Sequence, residues 1–187
     1  VVNTIKQQII SRGRARFWFV DDFVALGNND SVRKALQQLT NEQMLLRICH
    51  GVYYYPKIDR ELGLGVLMPS KESTALAIAK HAGLKIVPTG VFALNALGIT
   101  TQMQTVVAFL TNGRARKIDL GNGRYIKFFH SSSQRLFEYK SYRMILIIQA
   151  MTELGESGIT EDVRTRLKEQ VSLVPRRDFV HDIKLAP

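Results

Sequence analysis

Apolar residues in the first sixty positions recur at helical and strand spacings in alternation. Ile5, Ile9 and Ile10 fall at i, i+4 and i+5, which predicts an amphipathic helix over residues 2–12 ended by Gly13. Phe17-Trp18-Phe19-Val20 reads as a short aromatic strand. Asp21-Asp22 can cap a second, brief helix carrying Phe23, Val24 and Leu26, with Gly27 at its end and Asn28-Asn29 in the turn. Asp30-Ser31 offers the next N-cap, and Val32, Ala35, Leu36 and Leu39 mark the inward stripe of a third helix. A strand over 45–49, a tight turn at His50-Gly51 and a strand over 52–55, ended by Pro56, complete the series.

Helix, strand, helix, turn, helix, hairpin is the order of a winged helix-turn-helix. If Val32, Leu36 and Leu39 face inward, then Arg33, Lys34, Gln37 and Gln38 project outward beside Ser31. Glutamine can pair bidentately with adenine edges and arginine or lysine with guanine, in a major groove wide enough for a helix. A polar helix face also simply meets water, and it is the short helix, tight turn and hairpin around it that favour DNA. His50 and Gly51 would form the wing tip, with Arg47 beside it on phosphate. Arg12, Arg14 and Arg16 crowd five positions with no acid before Asp21, and are expected on phosphates too, positioning the module without reading sequence. Tyr53, Tyr54 and Tyr55 read as strand packing rather than as platforms for bases.

Beyond the polar stretch at 57–60 the pattern changes. A helix begins at Pro69-Ser70 and is closed by Gly83, and a strand follows over 85–87. Pro88-Thr89-Gly90 leads into a helix over 91–97 capped by Gly98. A strand over 105–111 meets Asn112-Gly113, a strong hairpin signal. Residues 114–120 return, Gly121-Asn122-Gly123 turns again, and 124–129 make a third strand, so an antiparallel meander is expected. An apolar helix over 139–154, a helix capped by Thr160 and a terminal turn or short helix from Pro175 close the chain. The predicted class is therefore α+β: a winged helix-turn-helix over residues 1–60, then an α/β domain over 61–187 with an antiparallel meander and C-terminal helices.

Composition narrows the function. The chain of 187 residues carries 26 Lys and Arg against 16 Asp and Glu, a formal +10, which makes a polyanion the first partner to consider. Nine basic and five acidic groups fall in residues 1–60. Cys49 is the single cysteine, which excludes a disulfide framework or a cysteine-rich zinc site and suggests a reducing compartment. Apolar runs such as 144–148 fall far short of a bilayer span, and the first residues lack a secretory signal's apolar core, so a cytoplasmic location is expected.

Enzyme signatures are few. The sequence has no phosphate-binding Gly-Lys-Ser/Thr loop, no Gly-x-Ser-x-Gly elbow and no His-Glu-x-x-His. His50, His81, His130 and His181 are scattered and read as surface or internally satisfied groups. Asp119 followed by Glu138 and Lys140 has the order of a metal-dependent nuclease, in which two carboxylates hold Mg²⁺ and the lysine supports the attacking water. Any Glu-x-Lys after an Asp meets that pattern, and this one falls at a predicted helix start. Arg114, Arg116, Lys117, Arg124 and Lys127 gather around the expected hairpins. Alternation puts Arg114 and Arg116 on one face, where Arg124 can join them, as a docking surface for an acidic protein or a nucleic acid, or as a plain solvated face.

Three stretches carry a family likeness: residues 47–56 (RICHGVYYYP), Pro88-Thr89-Gly90 with 93–98 (ALNALG), and Leu110-Thr111-Asn112-Gly113. Over about residues 5–150 the chain resembles the AbiEi-type antitoxins, and more closely an AbiEi-like group of bacterial winged-helix proteins designated DUF6088. The resemblance implies an antitoxin of a type IV toxin–antitoxin pair. Its winged helix would bind inverted repeats in its own promoter and repress it. Its second domain would counter a nucleotidyltransferase-like toxin, commonly without a stable complex. By position the reading role falls on Ser31, Arg33, Lys34, Gln37 and Gln38, with Arg47 and His50 in the wing; no residue of the second domain is assigned by motif. The expectation is thus a non-enzymatic DNA-binding regulator with no cofactor and no metal. A winged-helix-targeted nuclease is the alternative, and a winged helix that docks protein a third class.

Overall fold

The computed structural model describes residues 1–101 and 106–187. The predicted strand start at residue 105 lies outside them. Helices and strands are mixed, and the chain divides into two compact units, Val1–Ile78 and Ala79–Pro187. The division falls later than the expected boundary at position 60.

In the first unit, α1 (Val2–Ser11) places Ile5 and Ile9 fully inside. β1 (Arg16–Phe19) leads into a 3₁₀ segment, Val20–Leu26, where the sequence suggests a short α-helix. Asp22 does not begin that segment but reaches back, its Oδ2 accepting the Phe19 N–H at 2.7 Å. α2 (Asn29–Asn41) starts before the expected Asp30-Ser31 cap. The reason is Asn28, which is extended and whose Oδ1 accepts the Ser31 N–H at 2.8 Å, so the helix nucleates there instead. β2 (Leu46–Cys49) and β3 (Val52–Tyr55) form a hairpin, and β1 pairs antiparallel with β3, so the order is β1-β3-β2.

One core binds these elements: Ile5 and Ile9 of α1, Trp18, Phe23, the Val32, Ala35, Leu36 and Leu39 stripe, Leu45, Tyr53 and Tyr55. Trp18 stacks on Phe23 with ring centroids 5.3 Å apart. Tyr54 points to the other sheet face and lies 4.8 Å from Phe17. All three tyrosines are buried packing groups. Next comes a two-stranded ribbon, β4 (Lys57–Asp59) with β5 (Gly65–Leu67), which periodicity alone left as a polar stretch. α3 (Lys71–His81) follows.

The second unit holds a four-stranded sheet of β6 (Ile86–Pro88), β7 (Val106–Thr111), β8 (Arg116–Asp119) and β9 (Tyr125–His130), in the order β6-β7-β9-β8. The expected meander is therefore corrected. β7 and β8 are not neighbours; β9 lies between them, parallel to β7 and antiparallel to β8. Asn112-Gly113 fails as a hairpin because Lys85 holds it. The Asn112 Oδ1 accepts the Lys85 N–H at 2.9 Å, and the Thr111 Oγ1 donates to the Lys85 carbonyl at 3.1 Å. The Gly113 N–H in turn donates to Thr111 Oγ1. The turn at Gly121-Asn122-Gly123 does close as a hairpin, with the Leu120 N–H on the Arg124 carbonyl at 2.9 Å.

α4 (Gly90–Ala96) packs closely on α5 (Tyr142–Leu154), and Phe92 meets Phe109 on the inner sheet face. α6 (Glu161–Ser172) starts at the expected Thr160 cap, and α7 (Arg176–Asp182) follows Pro175. Among the described residues no helix is long and apolar enough to cross a membrane.

Candidate nucleic-acid interface

The apolar stripe fixes what α2 shows to solvent. Val32, Ala35, Leu36 and Leu39 are all 0% exposed, so the side chains between them must project outward. Arg33, Lys34, Gln37 and Gln38 are exposed. Ser31 is half-buried and belongs to the cap, its Oγ donating to the Asn28 carbonyl at 2.9 Å. The two glutamines are tied along the helix: the Gln37 amide donates to Asn41 Oδ1 at 3.1 Å, and the Gln38 amide to Glu42 Oε1 at 3.0 Å. Exposed i,i+4 pairs of this kind are worth only about 0.2–0.5 kcal/mol, so both amides can exchange partners at little cost. Glu42 also meets Lys6 at 3.3 Å, and the hydrogen bond from Gln38, then that from Lys6, holds its carboxyl below the usual range.

The β2–β3 tip is His50-Gly51, with Gly51 at φ +73°, a left-handed conformation that suits glycine. His50 and Arg47 are exposed there. The other expected phosphate contacts lie elsewhere. Register sets Arg16 opposite Tyr55, at the end of β3 remote from the tip, roughly 10 Å along the strand from Val52. Arg14 lies beyond it and is already engaged, donating to the Pro56 carbonyl at 2.9 Å with its guanidinium 4.6 Å above the Tyr55 ring. Arg14 lines an open cleft of about 590 Å³ with Ala15, Lys57, Ile58 and Arg60. Arg12, exposed, caps the end of α1. Arg14 and Arg16, expected on phosphates, thus lie at the end of the sheet away from the hairpin tip.

The five basic residues expected to form a docking surface do not share one face. β8 begins at Arg116, so Arg114 precedes the strand. Arg116 pairs with Phe128 on the inner face and lies 5.3 Å above its ring. Lys117 and Lys127 are direct cross-strand partners on the outer face, with Lys117 Nζ 3.6 Å from the Tyr125 ring centroid. Arg124 sits in the turn, its Nε on the Gly121 carbonyl at 3.5 Å. Arg114 and Arg124 both fall outside the strands, so alternation does not bring them onto the face of Arg116.

The nuclease residues are also dispersed. Asp119 pairs with Tyr125 at the start of β9 and accepts the Gly121 N–H at 2.7 Å. Glu138 follows a 3₁₀ turn, Gln134–Phe137, whose last carbonyl accepts from Lys85 Nζ beside the Thr111–His130 end of the sheet. The length of β9, roughly 16 Å, lies between the two carboxylates. Lys140 is exposed, and its backbone N–H is committed to Asp182. Among the described residues no group of three or more His, Cys, Asp or Glu is placed to hold a metal ion.

Asp182 is the charged group that pattern reading misses. It is 0% exposed and accepts the Lys140 N–H at 3.0 Å, the Ser141 N–H at 2.9 Å and His181 Nδ1 at 2.8 Å. Burial alone would raise its pKa, but these donors outweigh it and hold the carboxyl below its ordinary value. The group anchors the start of α5; its two backbone donors lie about forty positions upstream, so no local motif marks it. Nearby Tyr139 has its hydroxyl buried without a partner among the described residues, and burial pushes its pKa up.

A family model described as a family of unknown function (DUF6088) matches residues 4–177. The chain belongs to that family. The DUF6088 match runs from α1 into α7 and so takes in both compact units, the exposed face of α2 and the hairpin tip, while Asp182 lies just beyond it. No curated protein matches the chain.

Proposed function

We propose that this DUF6088 protein is a DNA-binding regulator whose first unit works as a winged helix-turn-helix. The observation that carries the reading is α2: a fully buried apolar stripe on one side, and Arg33, Lys34, Gln37 and Gln38 exposed on the other. Such a face offers what major-groove reading needs, forked or point cations for guanine and amides for adenine. The hairpin adds Arg47 and His50 as wing contacts to backbone phosphate, which position and do not specify. By its resemblance to AbiEi-type antitoxins, the protein represses its own promoter through inverted repeats and opposes a nucleotidyltransferase-like toxin through its second unit. The nuclease alternative has no support in the arrangement of Asp119 and Glu138.

The test is a mobility shift with the DNA upstream of its own gene. With about six phosphate contacts, affinity should fall about a thousand-fold between 50 and 200 mM salt. Changing Gln37 and Gln38 to Ala should reduce discrimination between that DNA and random sequence while leaving non-specific affinity nearly intact. Unchanged discrimination in the double variant would refute α2 as the reading helix. Intact plasmid after incubation with Mg²⁺ or Mn²⁺ separates a regulator from a nuclease. Rescue of growth on co-expression with a neighbouring nucleotidyltransferase-type gene tests the antitoxin role.

A further inference from the structure

At the end of β1 and β3 away from the hairpin tip, an open cleft lies between the bend that precedes β1 and the start of β4. Arg14, Ala15, Lys57, Ile58 and Arg60 line its volume of about 590 Å³, a size typical of small-molecule sites. Three of the five lining side chains are cations and none is an acid. Among the described residues no carboxylate forms an ion pair with any of the three. Asp59 and Glu61 flank Arg60 in sequence but do not line the cleft, and Asp59 Oδ1 is committed to the Leu62 N–H at 2.9 Å. Cations gathered around one concavity without counter-charge concentrate positive potential there.

The backbone presets this arrangement. Gly13 (φ +82°) and Ala15 (φ +62°) both adopt the left-handed region, which bends the chain on either side of Arg14. The Ala15 N–H donates to the Tyr55 carbonyl at 2.8 Å and pins the bend to the sheet. The Pro56 carbonyl and the Tyr55 ring then hold the Arg14 head in place without neutralising it, and the hydrogen bond uses one of its five N–H groups. A guanidinium fixed in this way can grip two phosphate oxygens at once; Arg60 offers a second fork and Lys57 a point charge. Three positive charges suit two or more linked phosphates, and exceed what a single phosphate group neutralises. Ile58 and the Ala15 methyl add an apolar wall for the organic part of such a ligand. A duplex carries its phosphates along the outside of a wide cylinder, so a compact ligand suits a single concavity better. We infer that the cleft is a binding site for a small polyphosphate, of the class of nucleoside di- and triphosphates. The site lies within the first unit, and the inference does not depend on DNA binding by α2.

Isothermal titration calorimetry on the full chain tests it, at about 50 mM NaCl without Mg²⁺ so that screening is low. The probes are ATP, pyrophosphate, AMP and inorganic phosphate. ATP and pyrophosphate should bind with a Kd on the order of tens of micromolar, and AMP and phosphate at least about ten-fold more weakly. Lys57→Ala and Arg60→Ala, both at exposed positions, should each weaken ATP binding about ten-fold. Arg14→Lys keeps the charge but loses the fork, and should weaken it to a similar extent. Lys168→Ala removes one charge from the exposed side of α6 and should leave affinity unchanged. Far-UV circular dichroism and Trp18 emission check that each variant is folded. Failure of either ATP or pyrophosphate to bind overturns the proposal. So does ATP binding that the cleft variants leave intact, or that Lys168→Ala weakens equally, since that marks diffuse attraction to a basic chain. Displacement of ATP by an unrelated duplex would assign the cleft to nucleic-acid phosphates and overturn it too.

Discussion

Removing the Asp182 carboxylate tests whether the start of α5 depends on it. Two backbone donors, Lys140 N–H at 3.0 Å and Ser141 N–H at 2.9 Å, point at a side chain with no solvent exposure. Hydrogen bonds to a charged acceptor contribute about 1.5–3 kcal/mol each, and donors left without a partner carry their desolvation cost as well. Asp182→Ala should therefore cost about 3 kcal/mol, and Asp182→Asn, which keeps one acceptor oxygen, about half of that. At a urea m-value near ~2 kcal/mol/M the Ala variant should unfold about 1.5 M earlier by far-UV circular dichroism. Trp18, the only tryptophan, lies in the first unit, so its emission reports whether that unit is intact. The sign of the pH effect follows from the lowered carboxyl. Its stabilisation is present above the unfolded carboxylate pKa of about 4 and is lost as pH falls through the lower folded value. The gap between wild type and Asp182→Asn should thus be widest near neutrality and close in acid below about pH 4. An unmoved urea midpoint, or a gap constant from pH 7 to 3, would refute the account.

Gly90→Ala should destabilise by about 1–3 kcal/mol in a thermal melt, because its Cβ would lie 2.5 Å from Glu153 Cβ and 2.8 Å from the Gln149 carbonyl oxygen, leaving α4 no room against α5. Leu36→Ala, at a side chain with no exposure in the middle of the α2 stripe, should cost about 2–5 kcal/mol in denaturant titration and weaken DNA binding as α2 loses its seat. Glu42→Gln removes a negative charge from the α2 surface, and a mobility shift should show DNA bound a few-fold more tightly; equal or weaker binding would place Glu42 away from the DNA.

The parts of this fold that were legible in sequence are those governed by neighbours within a turn or two. α2 could be read because four apolar residues at helical spacing leave one orientation, and that orientation is what exposes Arg33, Lys34, Gln37 and Gln38. Its start shifted because two acceptor side chains compete for one helix end. Asn28 is extended and takes the Ser31 N–H, leaving Asp30 in the first turn, where its charge favours the helix dipole. The sheet order of the second unit was not legible. Asn112-Gly113 has the composition of a hairpin turn, but its hydrogen bonds run to Lys85, twenty-seven positions earlier. Without that turn β8 pairs across β9 and starts only at Arg116, so Arg114 lies outside the strand and alternation no longer places it beside Arg116. Asp182 escaped for the same reason in stronger form, since both of its backbone donors are distant in sequence.

Charge shows the same dependence on long-range structure. With a boundary at position 60 the N-terminal part looks the more basic per residue, which invites assigning DNA affinity to net charge. The compact units divide it differently: residues 1–78 hold ten basic side chains against seven acidic, and residues 79–187 hold sixteen against nine. Acids that join the first unit, Glu61 and Glu72, dilute it, and Arg14 is held by Pro56 and Tyr55. On the proposed reading, attraction to DNA at long range would be a property of the whole basic chain, whereas discrimination would rest on the few donors that the buried stripe of α2 forces outward. Those two contributions answer differently to salt, which is why the salt series and the Gln37/Gln38 variant must be measured on the same DNA.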